Sequence, residues 1–359
     1  MRVKHPLASS TWGPDELAAA ESVLRSGQTT MGAQVAAFED EFATAIGTTY
    51  AVMVNSGSSA NLLMVAAYTL RYGPGIVIAP ALSWPTSYNP FQQYGWRFHF
   101  VDIDDSLCID TAAVRVALDR HQGEDRRQGA VILGCNILGN ACDYGDIPSW
   151  STILEDNCES LGAVYGGQRT GTFGVMATHS LFYSHHLCTM EGGVITTDDR
   201  YFYELLTSLR SHGWTRHLPA DNVLGATVGP FNFIMPGYNV RPMEVQAAIG
   251  RVQLGKLDAI VAQRRANAEA FPYLAQREVG ESSWFGFAVD RTPPIEAACE
   301  TRPVVAGNIL RTPLARYYEQ VTAPPVCPVA DRVMDTQCYV GNHATPIDWA
   351  AVFPEQAVA

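Results

Sequence analysis

Lysine is nearly absent from the 359-residue chain, since Lys4 and Lys256 are its only lysines and all other basic residues are arginines. No lysine amine is therefore available as a nucleophile between residues 5 and 255. Basic residues are also outnumbered, with 24 Lys and Arg against 36 Asp and Glu and a net charge of −12. This excess of acids argues against nucleic acid or an anionic membrane as a main partner.

The sequence also lacks long hydrophobic runs and paired cysteines. No stretch approaches the length of a membrane span, and the N-terminus has no signal-peptide core, so we expect a cytoplasmic protein. The eight cysteines show no C-x-C or C-x-x-C spacing. This spacing argues against a disulfide framework and against a local zinc or iron–sulfur site. We expect most of the cysteines to be small buried hydrophobic residues, and we expect no metal.

Short apolar segments alternate with amphipathic ones along the chain. The predicted strands cover residues 50–54, 76–79, 98–102, 130–133, 152–156 and 194–197. The predicted helices include residues 61–71, 200–211, 243–254 and 255–272. Two further helices precede the first strand, and Leu17, Val23 and Leu24 are expected to form the apolar side of the earlier one.

This alternation predicts a doubly wound α/β fold with a mainly parallel sheet that is covered on both faces. We expect a large domain over residues 1–255, including the N-terminal helices. A smaller C-terminal α+β domain is expected over residues 256–359.

Three features follow predicted strands, where a parallel sheet faces its ligand. The turn at residues 55–60 leads into a helix N-terminus that can present free N–H groups to an anion, although many α/β turns look the same. Trp84 stands on a loop, where it either packs in the core or offers a flat surface to an aromatic cofactor. Asp156 ends a strand and either faces the ligand or caps the following segment.

The segment 180–199 has the most informative layout. Ser180 lies five residues before His185, Glu191 lies six residues after it, and a Gly-Gly turn leads into an apolar run. This layout resembles the cofactor loop of the DegT/DnrJ/EryC1/StrS sugar aminotransferases, in which a lysine at the position of His185 forms an imine with pyridoxal phosphate. An imidazole can move protons but cannot form that imine.

The resemblance extends over nearly the whole chain. Its motifs lie at residues 6–12, 30–32, 54–63, 155–160, 182–186, 212–216, 236–242, 280–286 and 341–343. It implies the type I aminotransferase fold. Within the family, these motifs look like those of the GDP-4-keto-6-deoxy-D-mannose 3-dehydratases of the colitose pathway.

The resemblance implies a binding site for the cofactor phosphate. The backbone amides of Gly57, Ser58 and Ser59 and the hydroxyl of Ser180 would bind this phosphate. Asn239 would reach it from the partner subunit, which implies a homodimer with active sites at its interface.

Roles for the cofactor ring and the amino donor follow from the same resemblance. Trp84 would stack on the pyridine ring, and Asp156 would pair with the ring nitrogen and keep it protonated. Glu159 would lie near the hydroxyl side of the ring. Arg241 would bind a carboxylate of glutamate, for which its planar guanidinium is suited.

The implied reaction is a dehydration in which His185 is the base. Glutamate would convert pyridoxal phosphate to pyridoxamine phosphate, and His185, with a pKa near 6.5, would then move a proton while the sugar loses its C3 hydroxyl. The products would be 2-oxoglutarate, ammonia and a 3,6-dideoxy-4-keto sugar. We expect His186 to be structural, and His212 to contact either the substrate or loop backbone.

Three other functions remain as alternatives. An iron–sulfur 3-dehydrase acting on a CDP-sugar would need clustered cysteines, and a sugar aminotransferase would need the missing lysine. A catalytically silent nucleotide-sugar-binding homologue would have no chemical need for Asp156, Ser180, Glu159 and Arg241 together. The loop after Arg216 and the segment 290–300 are shorter than the family pattern, which leaves the base of the nucleotide open between guanine, cytosine and thymine.

Overall fold

A computed structural model of the protein describes residues 4–121 and 130–354. Its strands are β1 (Tyr50–Val54), β2 (Ile76–Pro80), β3 (Arg97–Val101), β4 (Val131–Cys135), β5 (Thr152–Asp156), β6 (Val164–Tyr165), β7 (Gln168–Arg169), β8 (Met176–Ser180), β9 (Gly193–Thr197), β10 (Gly286–Asp290), β11 (Thr301–Arg302) and β12 (Gln337–Gly341). Its helices are α1 (Pro14–Ser26), α2 (Ala33–Ile46), α3 (Gly57–Tyr72), α4 (Pro85–Gln93), α5 (Thr111–Arg120), α6 (Arg200–Leu209), α7 (Glu244–Leu254), α8 (Leu257–Glu269), α9 (Pro293–Ala298), α10 (Pro328–Thr336) and α11 (Trp349–Val352). Short 3₁₀ helices cover Tyr144–Asp146, Ile309–Arg311 and Pro313–Tyr317.

Seven strands form a central sheet in the order β1-β9-β8-β5-β4-β2-β3. The pairs β2–β3, β2–β4, β4–β5 and β5–β8 are parallel, whereas β9 runs antiparallel to both of its neighbours. The predicted mainly parallel sheet is confirmed. Because these parallel strands end at the same edge, the loops that follow them meet on one side of the molecule.

Most predicted elements occur close to their expected bounds, and the largest shift is at the start of α3. This helix begins at Gly57, earlier than predicted, because Ser56 caps it and its Oγ accepts the Ser59 N–H at 3.1 Å. The sequence pattern does not predict α4, which contains Pro85 and Pro90 and has no clear helical periodicity. It also does not predict α5 and β8.

The expected apolar face of α1 is wrong for its two leucines. Val23 is buried, but Leu17 and Leu24 are exposed. The helix buries Glu16 instead, whose carboxylate accepts hydrogen bonds from Lys256 Nζ at 2.6 Å and from Gln253 Nε2 at 2.7 Å. The face of α1 that packs against α7 and the start of α8 therefore includes a buried charged residue, and the two leucines point away from the core.

A second, antiparallel sheet has the order β10-β12-β11 and lies C-terminal to α8. The start of the chain packs against this region. His5 Nε2 lies 2.9 Å from the carbonyl oxygen of Gly341, and His343 Nε2 lies 2.9 Å from that of Pro6. The division into domains at residues 1–255 and 256–359 stays a prediction.

All eight cysteines are free, and seven of them are buried, with Cys158 half-buried. The expectation that most of them pack as small hydrophobic residues is confirmed. In the described part of the chain, no helix is both long and apolar enough to cross a membrane. No group of three His, Cys, Asp or Glu side chains within residues 4–121 and 130–354 is placed to hold a metal ion.

Candidate active site

A cavity of about 560 Å³ lies where the parallel strands end. Its lining comes from the loops after β1, β2, β4, β5 and β8, together with Phe285, Arg302 and Tyr339 from the C-terminal region. Among the residues predicted for the site, this lining includes Gly57, Ser58, Trp84, Asp156, Glu159, Ser180 and His185.

Asp156 is the last residue of β5, and other side chains fix its buried carboxylate. Oδ2 accepts hydrogen bonds from Asn61 Nδ2 at 2.9 Å and from Ser87 Oγ at 2.6 Å. Oδ1 accepts the Cys158 N–H at 3.1 Å, so Asp156 also caps the local turn. Asn61 in turn accepts a hydrogen bond from Thr178 Oγ1 at 2.6 Å. This network orients one acid at the floor of the cavity.

The N-terminus of α3 lies beside Ser180, at the end of β8. Gly57 and Ser58 are the first helical residues, whose amides have no acceptor within a helix. The Ser59 amide differs from the expectation, because it is hydrogen-bonded to Ser56 Oγ and the residue is not part of the cavity lining. A Cβ atom on Gly57 would lie 2.7 Å from the Ser180 Cβ, so this close approach requires glycine.

Trp84 is 55% exposed and lines the cavity from the residue before α4. The alternative that it packs in the core is therefore wrong. A large aromatic ring that is exposed at the wall of a cavity is available to stack on a flat ligand.

His185 lies in the loop between β8 and β9 and is half-buried, with one side open to the cavity. The centroid of its ring is 5.0 Å from that of Phe285 and 6.0 Å from that of Phe182. Burial, assisted by the positive charge of Arg264, lowers the pKa of His185 to about 3. The expected pKa near 6.5 is wrong for this reason. The imidazole is therefore neutral at pH 7, which makes it a proton acceptor.

The neighbouring His186 is structural, as expected. It is buried, and its Nε2 lies 3.1 Å from the carbonyl oxygen of Ser283. Burial, with a contribution from Arg264, holds the pKa of His186 well below its usual range.

Glu159 is the second acid at this edge of the sheet. Its Oε2 accepts the Leu138 N–H at 3.0 Å. Burial raises the pKa of Glu159 to about 7, with a further contribution from the charge of Asp156 and an opposing one from the Leu138 amide. A carboxyl group in this range can hold or release a proton at neutral pH.

Besides Ser59, three residues predicted for the site lie outside the cavity lining: His212, Asn239 and Arg241. Arg241 Nε donates to Asn239 Oδ1 at 2.9 Å, and Asn239 pairs with Ser211 in an isolated bridge. The His212 N–H donates to the carbonyl oxygen of Tyr238, so its backbone contacts the loop while its ring is exposed. Within one chain, these three residues therefore lie apart from the cavity.

The sequence analysis missed several residues of the cavity. Asn61 and Ser87 hold Asp156, and Arg302 and Tyr339, which pair across β11 and β12, also line the cavity. Arg302 is the only lysine or arginine among the lining residues of the described chain. The sequence around these four residues carries no local pattern that identifies them as site residues.

The residues present fit a pyridoxal-phosphate-type cofactor that is held without a covalent bond. A fixed carboxylate, an exposed indole, a hydroxyl and a helix N-terminus meet in one cavity. Both lysines lie elsewhere, since Lys256 pairs with Glu16 and Lys4 Nζ donates to the carbonyl oxygen of Glu296 at 2.5 Å.

Comparisons with known proteins agree with this arrangement. The sequence pattern of the DegT/DnrJ/EryC1/StrS aminotransferase family matches residues 11–281. A GDP-4-keto-6-deoxy-D-mannose 3-dehydratase from Escherichia coli O55:H7 is 43% identical over 379 residues, covering 95% of this chain and 96% of that protein. A crystal structure of a GDP-4-keto-6-deoxymannose-3-dehydratase mutant with bound GDP-perosamine has a TM-score of 0.90 at 40% identity, covering 99% of each chain.

A second crystal structure of GDP-4-keto-6-deoxymannose-3-dehydratase holds a trapped PLP-glutamate geminal diamine. It has a TM-score of 0.89 at 40% identity and also covers 99% of both chains. The predicted aminotransferase-type fold is thus confirmed. Because its sequence pattern matches more than half of the chain, the protein belongs to the DegT/DnrJ/EryC1/StrS aminotransferase family.

Proposed function

We propose that the chain is a glutamate-dependent sugar 3-dehydratase that uses pyridoxal and pyridoxamine phosphate. Its substrate would be GDP-4-keto-6-deoxy-D-mannose, and its products GDP-4-keto-3,6-dideoxy-D-mannose, 2-oxoglutarate and ammonia. The observation that carries this proposal is a histidine, His185, lining the cavity at the position where the family's aminotransferases have lysine. The 43% identity to a 3-dehydratase over nearly the full length supports the choice of substrate.

The chain's own residues would bind and orient the cofactor. When bound, the cofactor supplies an electron-accepting ring next to the reacting carbon. Asp156 would face the ring nitrogen, held in place by Asn61 and Ser87. Trp84 would cover one face of the ring. Ser180 and the N-terminus of α3 would bind the phosphate, because the helix end presents free N–H groups and a partial positive charge.

His185 would accept the proton. Its Nδ1 lies 3.5 Å from Ser184 Oγ, so we expect Nε2 to be the accepting atom. A neutral imidazole has a free lone pair for this step. With a pKa of about 3, however, the imidazole does not retain the proton at pH 7. Glu159, with a pKa of about 7, is better suited to supply a proton to the departing hydroxyl.

The proposal includes a homodimer in which a second copy completes the site. Asn239 and Arg241 would then bind the phosphate and the glutamate carboxylate of the neighbouring cavity. Exposed apolar side chains favour such an interface, since Phe231 in the same segment is 82% exposed and Leu17 and Leu24 are exposed on α1. A cytoplasmic location belongs to the same proposal, and free buried cysteines are typical of a reducing compartment.

An absorbance spectrum of the protein with pyridoxal phosphate, before and after glutamate, tests the first half of the reaction. We expect a glutamate-driven change to the pyridoxamine form. Ammonia should then appear when GDP-4-keto-6-deoxymannose is added, and less of it with the corresponding CDP- and dTDP-sugars. The His185→Asn variant is the matched control, because it should bind the cofactor but release little ammonia.

Each other outcome favours a named alternative. Transfer of the amino group to the sugar would indicate an aminotransferase. A lysine that borohydride links to the cofactor would contradict the role of His185. Absence of cofactor binding would indicate a catalytically silent homologue, and preference for a CDP- or dTDP-sugar would change the base of the substrate.

A further inference from the structure

The segment 282–285 forms the wall of the cavity beside His185. Phe285 lines the cavity, and its ring centroid is 5.0 Å from that of His185. The preceding residue, Trp284, has a φ of 46°, a left-handed conformation that bulky residues rarely adopt. Such backbone strain persists only where the surroundings hold it, and it is concentrated at functional sites.

Arg264, on α8, binds the backbone of this wall. Its Nη1 donates to the carbonyl oxygen of Phe285 at 2.7 Å and lies 3.5 Å from that of Trp284. Asn342 Nδ2 joins the two elements, because it donates to the carbonyl oxygens of both Trp284, at 2.8 Å, and Arg264, at 2.9 Å. The position of the Phe285 ring against His185 therefore depends on the guanidinium.

The guanidinium is also a buried charge without a counter-ion in the described structure. Arg264 is 3% exposed, takes part in none of the ion pairs among residues 4–121 and 130–354, and its Nε has no hydrogen-bond partner there. Burial lowers its pKa to about 10, which still leaves it charged at neutral pH. An unpaired buried charge is costly, so its retention calls for a role.

Other groups that can carry charge also face His185 or its cavity. His186 lies next to it on the same loop and is kept neutral by burial. The remaining groups line the cavity and are Asp156, Cys158, Glu159, Glu191, Arg302 and Tyr339. The three acids among them would favour a protonated imidazole. The positive charge of Arg264, which is buried behind Phe285, opposes that effect.

We propose that Arg264 is a positioning residue for the reaction: it fixes the wall 282–285 against His185, and its charge adds to the effect of burial in disfavouring a protonated imidazole. This inference rests on the proposed function, in which His185 is the base. It also gives a role to the motif at residues 280–286, in which Arg264 contacts the carbonyl groups of Trp284 and Phe285.

The test is an NMR titration of histidine-labelled protein without cofactor. The His185 resonance is identified among nine histidines by its loss in the His185→Asn variant. In the unaltered protein we expect the imidazole to stay neutral down to about pH 4. A His185 pKa near its ordinary value would overturn the proposal without any variant of Arg264.

Two variants then separate charge from packing. Arg264→Gln keeps a hydrogen-bond donor but no charge, and Arg264→Met keeps neither. We expect both to raise the His185 pKa by about half a unit or more. The control is Arg251→Gln, which removes a half-buried charge that pairs with Glu41 on α2, and it should leave the titration unchanged. A rise in Arg264→Met alone, or in neither variant, would show that the charge does not act on His185.

The enzymatic counterpart is the acid limb of the kcat/KM profile. In Arg264→Gln this limb should move to higher pH by the same amount, whereas loss of packing alone would lower kcat at every pH. Because the titration needs neither cofactor nor turnover, it separates the two proposals. An inactive protein with a low His185 pKa would overturn the function, and an active one with an ordinary pKa would overturn the role of Arg264.

Discussion

The cavity and the segment 211–241 each carry part of the predicted site, and the chain holds them differently. In the cavity, Asp156 accepts hydrogen bonds from side chains of both α3 and α4. In the segment, Arg241 donates to Asn239, two residues away, and Asn239 is exposed. The acid is oriented by residues distant in sequence, whereas the arginine is oriented by its own loop.

In the proposed homodimer, this difference would divide the reaction between two chains. Groups that would act on the ring and on protons are fixed within one chain, where small errors in position are costly. Asn239 and Arg241, which would bind phosphate and carboxylate, lie outside this cavity, where a second copy could use them.

Replacing His185 should abolish the function of the cavity and leave its structure intact. For His185→Asn we expect dehydration to fall by about 10²- to 10⁴-fold, the usual contribution of a general base. Ammonia release at saturating sugar measures this loss, and the affinity for pyridoxal phosphate should change little. An equally large loss of cofactor affinity would show that His185 binds rather than catalyses.

Mixing variants of the two regions should restore activity if a site draws on both chains. Arg241→Met alone should weaken the glutamate step by about 10- to 100-fold, because a charge-assisted hydrogen bond is lost. Unfolded and co-refolded His185→Asn and Arg241→Met chains should recover about a quarter of the unaltered activity, since half of the dimers would have one intact site. Activity no higher than that of the separate variants would argue for a site within one chain.

The phosphate site should tolerate no side chain at the start of α3. Gly57→Ala would place a Cβ 2.7 Å from the Ser180 Cβ, so we expect a stability loss of about 1–3 kcal/mol and weaker cofactor binding. Thermal unfolding and a binding titration measure the two effects. Gly255→Ala is the control, since its nearest neighbour would be 3.5 Å away. Equal behaviour of the two variants would contradict a tight cradle at Gly57.

The cavity should also contribute to the pH dependence of stability. Because the pKa of His185 is about 3 in the folded protein and about 6.5 when unfolded, the unfolded chain binds this proton first. The contribution of His185 is complete above pH 6.5 and is lost as the pH falls toward 3. Between pH 7 and pH 5 we expect His185→Gln to reduce the stability loss by about 1–2 kcal/mol in denaturant titrations. An unchanged loss would mean that the imidazole is not desolvated.

Much of the fold could be predicted because its signals are local. The strands of the central sheet are short apolar runs, and glycines follow the first two helices. For the same reason, Asp156 and Trp84 could be assigned to the ligand edge, since Asp156 ends a predicted strand and Trp84 lies in the loop after another. The helix α4 was missed because its prolines and polar residues carry no such pattern.

The rest depended on contacts between distant parts of the chain. Ser87 and Asn61 donate to an acid that lies 69 and 95 residues further along. The low pKa of His185 follows from burial and from a guanidinium on α8, neither of which has a local signal. The exposed leucines of α1 show that helical periodicity alone does not determine which apolar side chains are buried.

The placement of both lysines outside the cavity also links the stability of the folded protein to the concentration of free cofactor. A cofactor that no amine holds covalently leaves by simple dissociation, so its occupancy follows its free concentration. A ligand at a hundredfold excess over its Kd adds about 2.7 kcal/mol to the stability of the folded state. The unfolding temperature of this protein would therefore rise and fall with the concentration of the vitamin B6 cofactor. A relative that also links the cofactor to a lysine would bind it more tightly, so its unfolding temperature would change less.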